Sequence, residues 1–143
     1  MGCAGALVFA NLGASYGTAK SGVGVASLGV IDSTKVFKAL IPIIMAGILG
    51  IYGIIVAVLL NSGISGQNGK MSMEAGYKYL GAGLACGLSS LASGLAIGVA
   101  GDACVRAFAQ TDGIFVGMIL ILIFAEAIGL YGLIVAIIMS TAS

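Results

Sequence analysis

Five acidic and six basic side chains serve a chain of 143 residues, and one of the acids stands where a charge is expensive. Glu126 lies inside an otherwise uncharged apolar stretch running from Ile114 to Met139. At about 1.5 Å of rise per residue, it sits roughly 18–20 Å from either end of a helix over that stretch. That is near the midplane of a hydrocarbon core about 30 Å thick. An acid at such depth costs about 2.5–3.5 kcal/mol on insertion scales, so it points first to an ion path. The chemistry open to a lone carboxyl group there is the binding and release of a proton or another small cation. Desolvation favours the neutral form; a guanidinium and a water-filled channel beside it would favour the ionised form.

Other chemistry is scarce. The chain has no histidine, which removes the usual general base and the commonest metal ligand. Cys3, Cys86 and Cys104 are odd in number and scattered through apolar sequence. They read as buried free thiols, neither a disulfide framework nor a metal site. With no phosphate loop and no catalytic cluster, the sequence offers no catalytic residue, no metal site and no cofactor, which argues against an independent enzyme. The absence of basic clusters argues against nucleic acid.

The elements that hold Glu126 must be membrane helices. Only 8% of residues are charged and mean hydropathy is +1.20, whereas soluble domains carry about 25% charged residues. Long charge-free runs predict four transmembrane helices at about 2–31, 36–61, 74–108 and 112–140, each long enough to span. Asp32-Ser33-Thr34 and Thr111-Asp112-Gly113 supply N-cap chemistry for the second and fourth. Pro42, within two turns of the second helix's start, predicts a kink there. Met1 leads into an apolar run without a basic n-region, so the first segment is expected to be a retained membrane helix and not a signal peptide. The chain divides into a first helical hairpin over 1–62, a polar connection over 63–73 and a second hairpin over 74–143 that carries the acid.

The two hairpins are copies. Ile44–Val58 aligns without gaps on Ile123–Ile137 at an offset of 79, with eight of fifteen residues identical, including Gly50/Gly129 and Tyr52-Gly53/Tyr131-Gly132. Glu126 falls opposite Gly47, so one hairpin has the acid and the other no side chain at all. Around the acid, Gly47 and Gly129 are expected to leave room for the carboxyl, and Tyr52 and Tyr131 to bring hydroxyls to its depth. In the first and third helices small residues recur every four positions, as in Ala6, Ala10, Ala14 and Ala82, Cys86, Ser90. That spacing permits close helix contact in lipid. It fits odd-numbered helices lining a crowded inner surface, such as the inside of a ring, with even-numbered helices outward. Lys20, Lys35, Lys38 and Arg106 at the hairpin turns, against Lys70 and Lys78 at the connection, place the turns in the cytosol and both termini on the far side. The charged residues at the turns read as caps and a solvated rim, with Lys20 snorkelling.

Three segments carry a resemblance: Gly17-Thr-Ala-Lys-Ser-Gly22, Gly98-Val-Ala-Gly-Asp102, and Gly117-Met-Ile-Leu-Ile-Leu-Ile-Phe-Ala-Glu126, continued by Gly129-Leu-Tyr-Gly132. Through them nearly the whole chain resembles the V-type ATPase proteolipids, the c subunits of a membrane rotor. The resemblance implies an all-α, four-helix transmembrane protein of two tandem hairpins that assembles into a ring with other proteolipid subunits. It implies that the acid matching Glu126 binds protons, facing an arginine on the stationary a subunit. It also implies a central rotor stalk subunit on the cytosolic face, surrounding membrane lipid, and acidification of a vacuolar, endosomal or other acidic organelle driven by ATP hydrolysis elsewhere. The c″ type carries its acid on the helix that here bears Gly47, which disfavours that type. Relatives that carry sodium place polar side chains where Ile48 and Leu49 stand, and only Ser89, Ser90 and Ser93 offer substitutes, so protons are favoured. One acid per four helices means few ions per turn, which suits a pump against steep gradients at about 2.3 kcal/mol per charge per 100 mV. The rival readings are a sodium-carrying proteolipid and a structural or pore-forming tetraspan protein in which Glu126 pins helices by hydrogen bonding.

Overall fold

The computed structural model describes residues 1–142. Helix α1 (Gly2–Ile31) leads into a 3-10 turn (Ser33–Lys35), a one-turn helix α2 (Val36–Ala39) and α3 (Ile41–Ser65). A short loop then joins α4 (Met73–Gln110), a second 3-10 turn (Asp112–Ile114) and α5 (Phe115–Thr141). The hairpin turns are capped as their sequences predict. Asp32 accepts from the Thr34 amide at 3.1 Å and from its hydroxyl, and Thr111 Oγ1 accepts from Gly113 N at 3.4 Å. Those two bonds hold the Asp32 carboxyl below the ordinary carboxylate range. Ser72 caps α4 through Ala75 N at 3.2 Å, and Glu74 favours the same helix end while pairing with Lys78 at 3.0 Å.

Two boundaries differ from expectation. The kink expected at Pro42 shows as a one-residue interruption at Leu40, itself in the helical region: Pro42 has no N–H for the Lys38 carbonyl, so α2 stops at Ala39 and Pro42 sits in the first turn of α3. At its other end α3 runs on to Ser65, past the expected 61, because Gly63 packs against the Tyr79 side chain of α4. The chain then reverses through Asn68 and Gly69, both in the left-handed region, where Gly69 has no Cβ to obstruct.

The four long helices form a two-layer bundle, with α1 beside α4 and α3 beside α5. The α1–α4 seam is made by glycines on both sides. A Cβ on Gly94 would enter the backbone of Gly13, one on Gly83 the backbone of Gly2, and one on Gly87 the carbonyl of Gly5. Dispersion between backbones at this range replaces the hydrophobic drive that lipid cannot supply. The sequence repeat is also a packing repeat. Gly53 rests on Ala10 and Ala6 of α1, and Gly132 on Ser89 and Ala85 of α4, the same contacts shifted by 79.

Two apolar clusters fill the bundle. One, with Leu28, Val105, Phe108, Met118 and Leu122, lies toward the hairpin turns; the other, with Val56, Leu60, Cys86 and Leu133, lies toward the connecting loop. Three spans, Ser33–Ser65, Met73–Gln110 and Asp112–Thr141, are long and apolar enough to cross a bilayer. The fourth expected span, α1, has the length but not the apolarity, because glycines and the polar Asn11, Ser15, Thr18 and Lys20 dilute it; its shielding comes from contact with α4 and α3.

Candidate functional site

Glu126 projects from the middle of α5 at the level where the two apolar clusters meet. The residue is half-buried, and both carboxyl oxygens are shielded without a hydrogen-bond partner among the described residues. The Tyr52 phenol of α3 lies beside the carboxyl, short of hydrogen-bond geometry. Tyr52 is itself half-buried and packs against both clusters. Every ion pair among the described residues involves other groups: Lys20–Asp102, Arg106–Asp102, Lys35 with Asp32 and Asp112, and Lys78–Glu74. An ionised carboxylate at this depth without a cation is costly, so the arrangement suits the neutral acid.

The backbone around the acid is tightly fixed. Ser93 of α4 donates its hydroxyl to the carbonyl of Ala125 at 2.6 Å, in a fully buried bond one residue before Glu126. Gly129, one turn on, is pressed between Leu49 of α3 and Ser93; a Cβ there would meet Leu49 Cδ2 at 2.6 Å. Only the absence of a side chain lets α5 approach both neighbours at once. Sequence reasoning named Ser93 solely as a substitute ion ligand. Its hydroxyl is instead committed to α5, a bond with no sequence signal beyond a small polar residue on a helix of small residues.

Of the residues expected at the site, Tyr52 stands beside Glu126, Gly129 faces Leu49 and Ser93 one turn away, and two others lie apart. Gly47 faces outward, with nothing within 4 Å of where its Cβ would stand. Tyr131 is 63% exposed on the outer face of α5. Ile48 and Leu49 put hydrocarbon, not oxygen ligands, on the α3 side.

The charged residues at the hairpin turns do more than cap. Lys35 reaches from the first turn to the second, binding Asp112 at 2.6 Å and the Phe108 carbonyl at 3.1 Å with its ammonium over the Phe108 ring. Asp102, expected on a solvated rim, is instead largely enclosed between Arg106 at 2.9 Å and Lys20 at 3.8 Å, because Gly24 of α1 packs directly on it. Cys86 and Cys104 are buried free thiols and Cys3 is partly buried.

Comparison with known proteins follows the same division into hairpins. The family model for the ATP synthase C subunit matches residues 1–60 and again 80–139, one match per hairpin. The chain is 59% identical to the V-type proton ATPase 16 kDa proteolipid subunit of Chrysotila carterae, over 99% of this chain and 88% of that protein. It is 55% identical to the V-type proton ATPase 16 kDa proteolipid (c subunit) of Homo sapiens, over 99% of this chain and 89% of that protein. The corresponding protein of Ascaris suum is 52% identical over 99% and 88%.

Proposed function

The chain belongs to the V-type proton ATPase 16 kDa proteolipids within the ATP synthase C subunit family, a multi-pass membrane protein and a non-catalytic subunit, and from that premise we propose that Glu126 is its proton carrier. Copies of the chain and related proteolipids assemble into a ring, and ATP hydrolysis in other subunits turns it. Glu126 crosses the lipid-facing part of each turn protonated and neutral. Beside a guanidinium of the stationary a subunit, with water in a half-channel, the ionised form is favoured and the proton leaves. Protons thus cross without a continuous pore, and an organelle lumen is acidified. The hairpin turns, with Lys20, Lys35, Lys38 and Arg106, face the cytosol and a central stalk subunit; both termini face the lumen.

The observation that carries this reading is the carboxyl of Glu126: shielded, unpaired, at mid-helix, and next to a single phenol. A residue that merely pinned helices together would be engaged in a hydrogen bond. Carbodiimide labelling in native membranes, mapped by mass spectrometry against pH with and without sodium, tests it. Selective labelling of Glu126 that fades as pH rises and ignores sodium is expected. Sodium protection would move the cargo to that ion, and no labelling at any pH would contradict a protonatable carrier.

A further inference from the structure

A shielded carboxyl that stands unbonded beside a phenol is a costly arrangement, since a bond between them would satisfy a buried polar group. Something must hold the two apart, and the helix that touches both of theirs is α4. Among the described residues, three fully buried side chains donate to a carbonyl of another long helix: Ser21, Cys86 and Ser93. Ser21 Oγ reaches Ile97 at 3.5 Å and ties α1 to α4. The other two start from α4 and end at the site. Cys86 Sγ reaches the carbonyl of Tyr52 at 3.6 Å, and Ser93 Oγ that of Ala125 at 2.6 Å. So α4 grips α3 at the residue that bears the phenol, and α5 at the residue just before the acid.

Cys86 and Ser93 share one face of α4, so a single rigid element sets both grips. A carbonyl has two lone pairs, and each gripped carbonyl can stay in its own helix ladder while taking the α4 donor. Polarity on this face is not enough by itself: Ser90, between the two and equally buried, has a hydroxyl without a partner and grips nothing. We infer that Cys86 and Ser93 are positioning residues, which together hold the Tyr52 phenol near the Glu126 carboxyl but short of a bond. The acid is thereby kept free to take up and give off its proton. Loss of either grip lets one helix shift against the other, and the phenol closes on the carboxyl. This assignment rests on the reading of Glu126 as the carrier and adds to it what keeps the carboxyl unengaged.

Infrared spectroscopy of the protein in lipid membranes tests it through the carboxyl stretch of Glu126, identified by its loss in Glu126→Gln. The parent is expected to show the band of a protonated carboxyl without a partner. Ser93→Ala and Cys86→Ala are each expected to shift that band to lower wavenumber as the phenol engages. Ser93→Cys and Cys86→Ser keep a donor and are expected to leave it in place, as is Ser90→Ala. Adding Tyr52→Phe to either alanine variant is expected to return the band to its parent position, which a general loosening of the bundle would not do. Since the grips lie on different helices, one alanine variant still reads the contact where the other fails to fold. A parent band already at the lower position, a band unmoved by the alanine variants, or a shift that survives Tyr52→Phe would overturn the assignment. No protonated band in the parent would remove the neutral carrier as well, and so is told apart from failure of the grips alone.

Discussion

Among the described residues the Glu126 carboxyl has one polar neighbour, the Tyr52 phenol, and no cation, which suits the proton-carrying role proposed for it. The Tyr52 phenol stands beside the carboxyl without bonding it, while Ser93 holds the preceding carbonyl and so fixes where the side chain starts. Tyr52→Phe keeps the packing and deletes the hydroxyl. It is expected to slow ATP-driven proton uptake several-fold in rings that still assemble, whereas Tyr131→Phe should stay within about twofold of the parent; equal effects in a vesicle acidification assay would remove Tyr52 from the site. The acid itself was legible in the sequence because one charge in an apolar run has few bland explanations. Tyr52 and Gly129 were singled out through the repeat, and of these Tyr52 lies beside the acid while Gly129 faces Leu49 and Ser93. Gly47 was not, because a repeat says which positions correspond but not which of them face each other within one chain. Ser93 was hidden for a different reason: a serine in a stripe of small residues looks the same whether or not its hydroxyl is spent.

At the scale of elements, the α1–α4 seam determines how close the two hairpins sit. Valine at Gly94 would drive its side chain into the Gly13 backbone, which cannot rotate away. Gly94→Val is expected to destabilise the protein by about 3 kcal/mol or more, at or beyond the upper end of ordinary overpacking. Gly76→Ala, whose added Cβ would meet Met71 Cε at an ordinary 3.6 Å, should be near neutral; thermal unfolding in detergent compares the two. At the hairpin turns Lys35 ties one repeat to the other. Lys35→Met leaves the Phe108 carbonyl without its donor and is expected to cost about 1–2 kcal/mol by the same measurement. The four long helices and both caps could be read from charge spacing and Asx/Thr chemistry. The interruption at Leu40 could be read as a kink from Pro42, and the extra turn of α3 depended on Tyr79, a partner distant in sequence. Lys35 crossing to Asp112 is likewise a tertiary event, invisible to local pattern.

The whole molecule is a tandem repeat in which one half carries an acid and the other a glycine at the matching position. Composition made it a membrane protein, yet α1 shows where hydropathy runs out: a helix of small residues is protected by what it touches and not by its own apolarity. The same small residues give the chain two layers, with the glycine seam in one and the branched aliphatic helices α3 and α5 in the other. In the proposed rotary role, one acid per four helices would lower the ion count per turn and leave more driving energy for each, about 2.3 kcal/mol being needed per charge per 100 mV. All of this stands on Glu126 as the group that titrates. The direct test is ATP-driven acidification of vesicles whose rings are made wholly of the Glu126→Gln variant, which keeps size and neutrality but cannot release a proton. The account predicts an assembled complex with no proton uptake above background; retained acidification would contradict it.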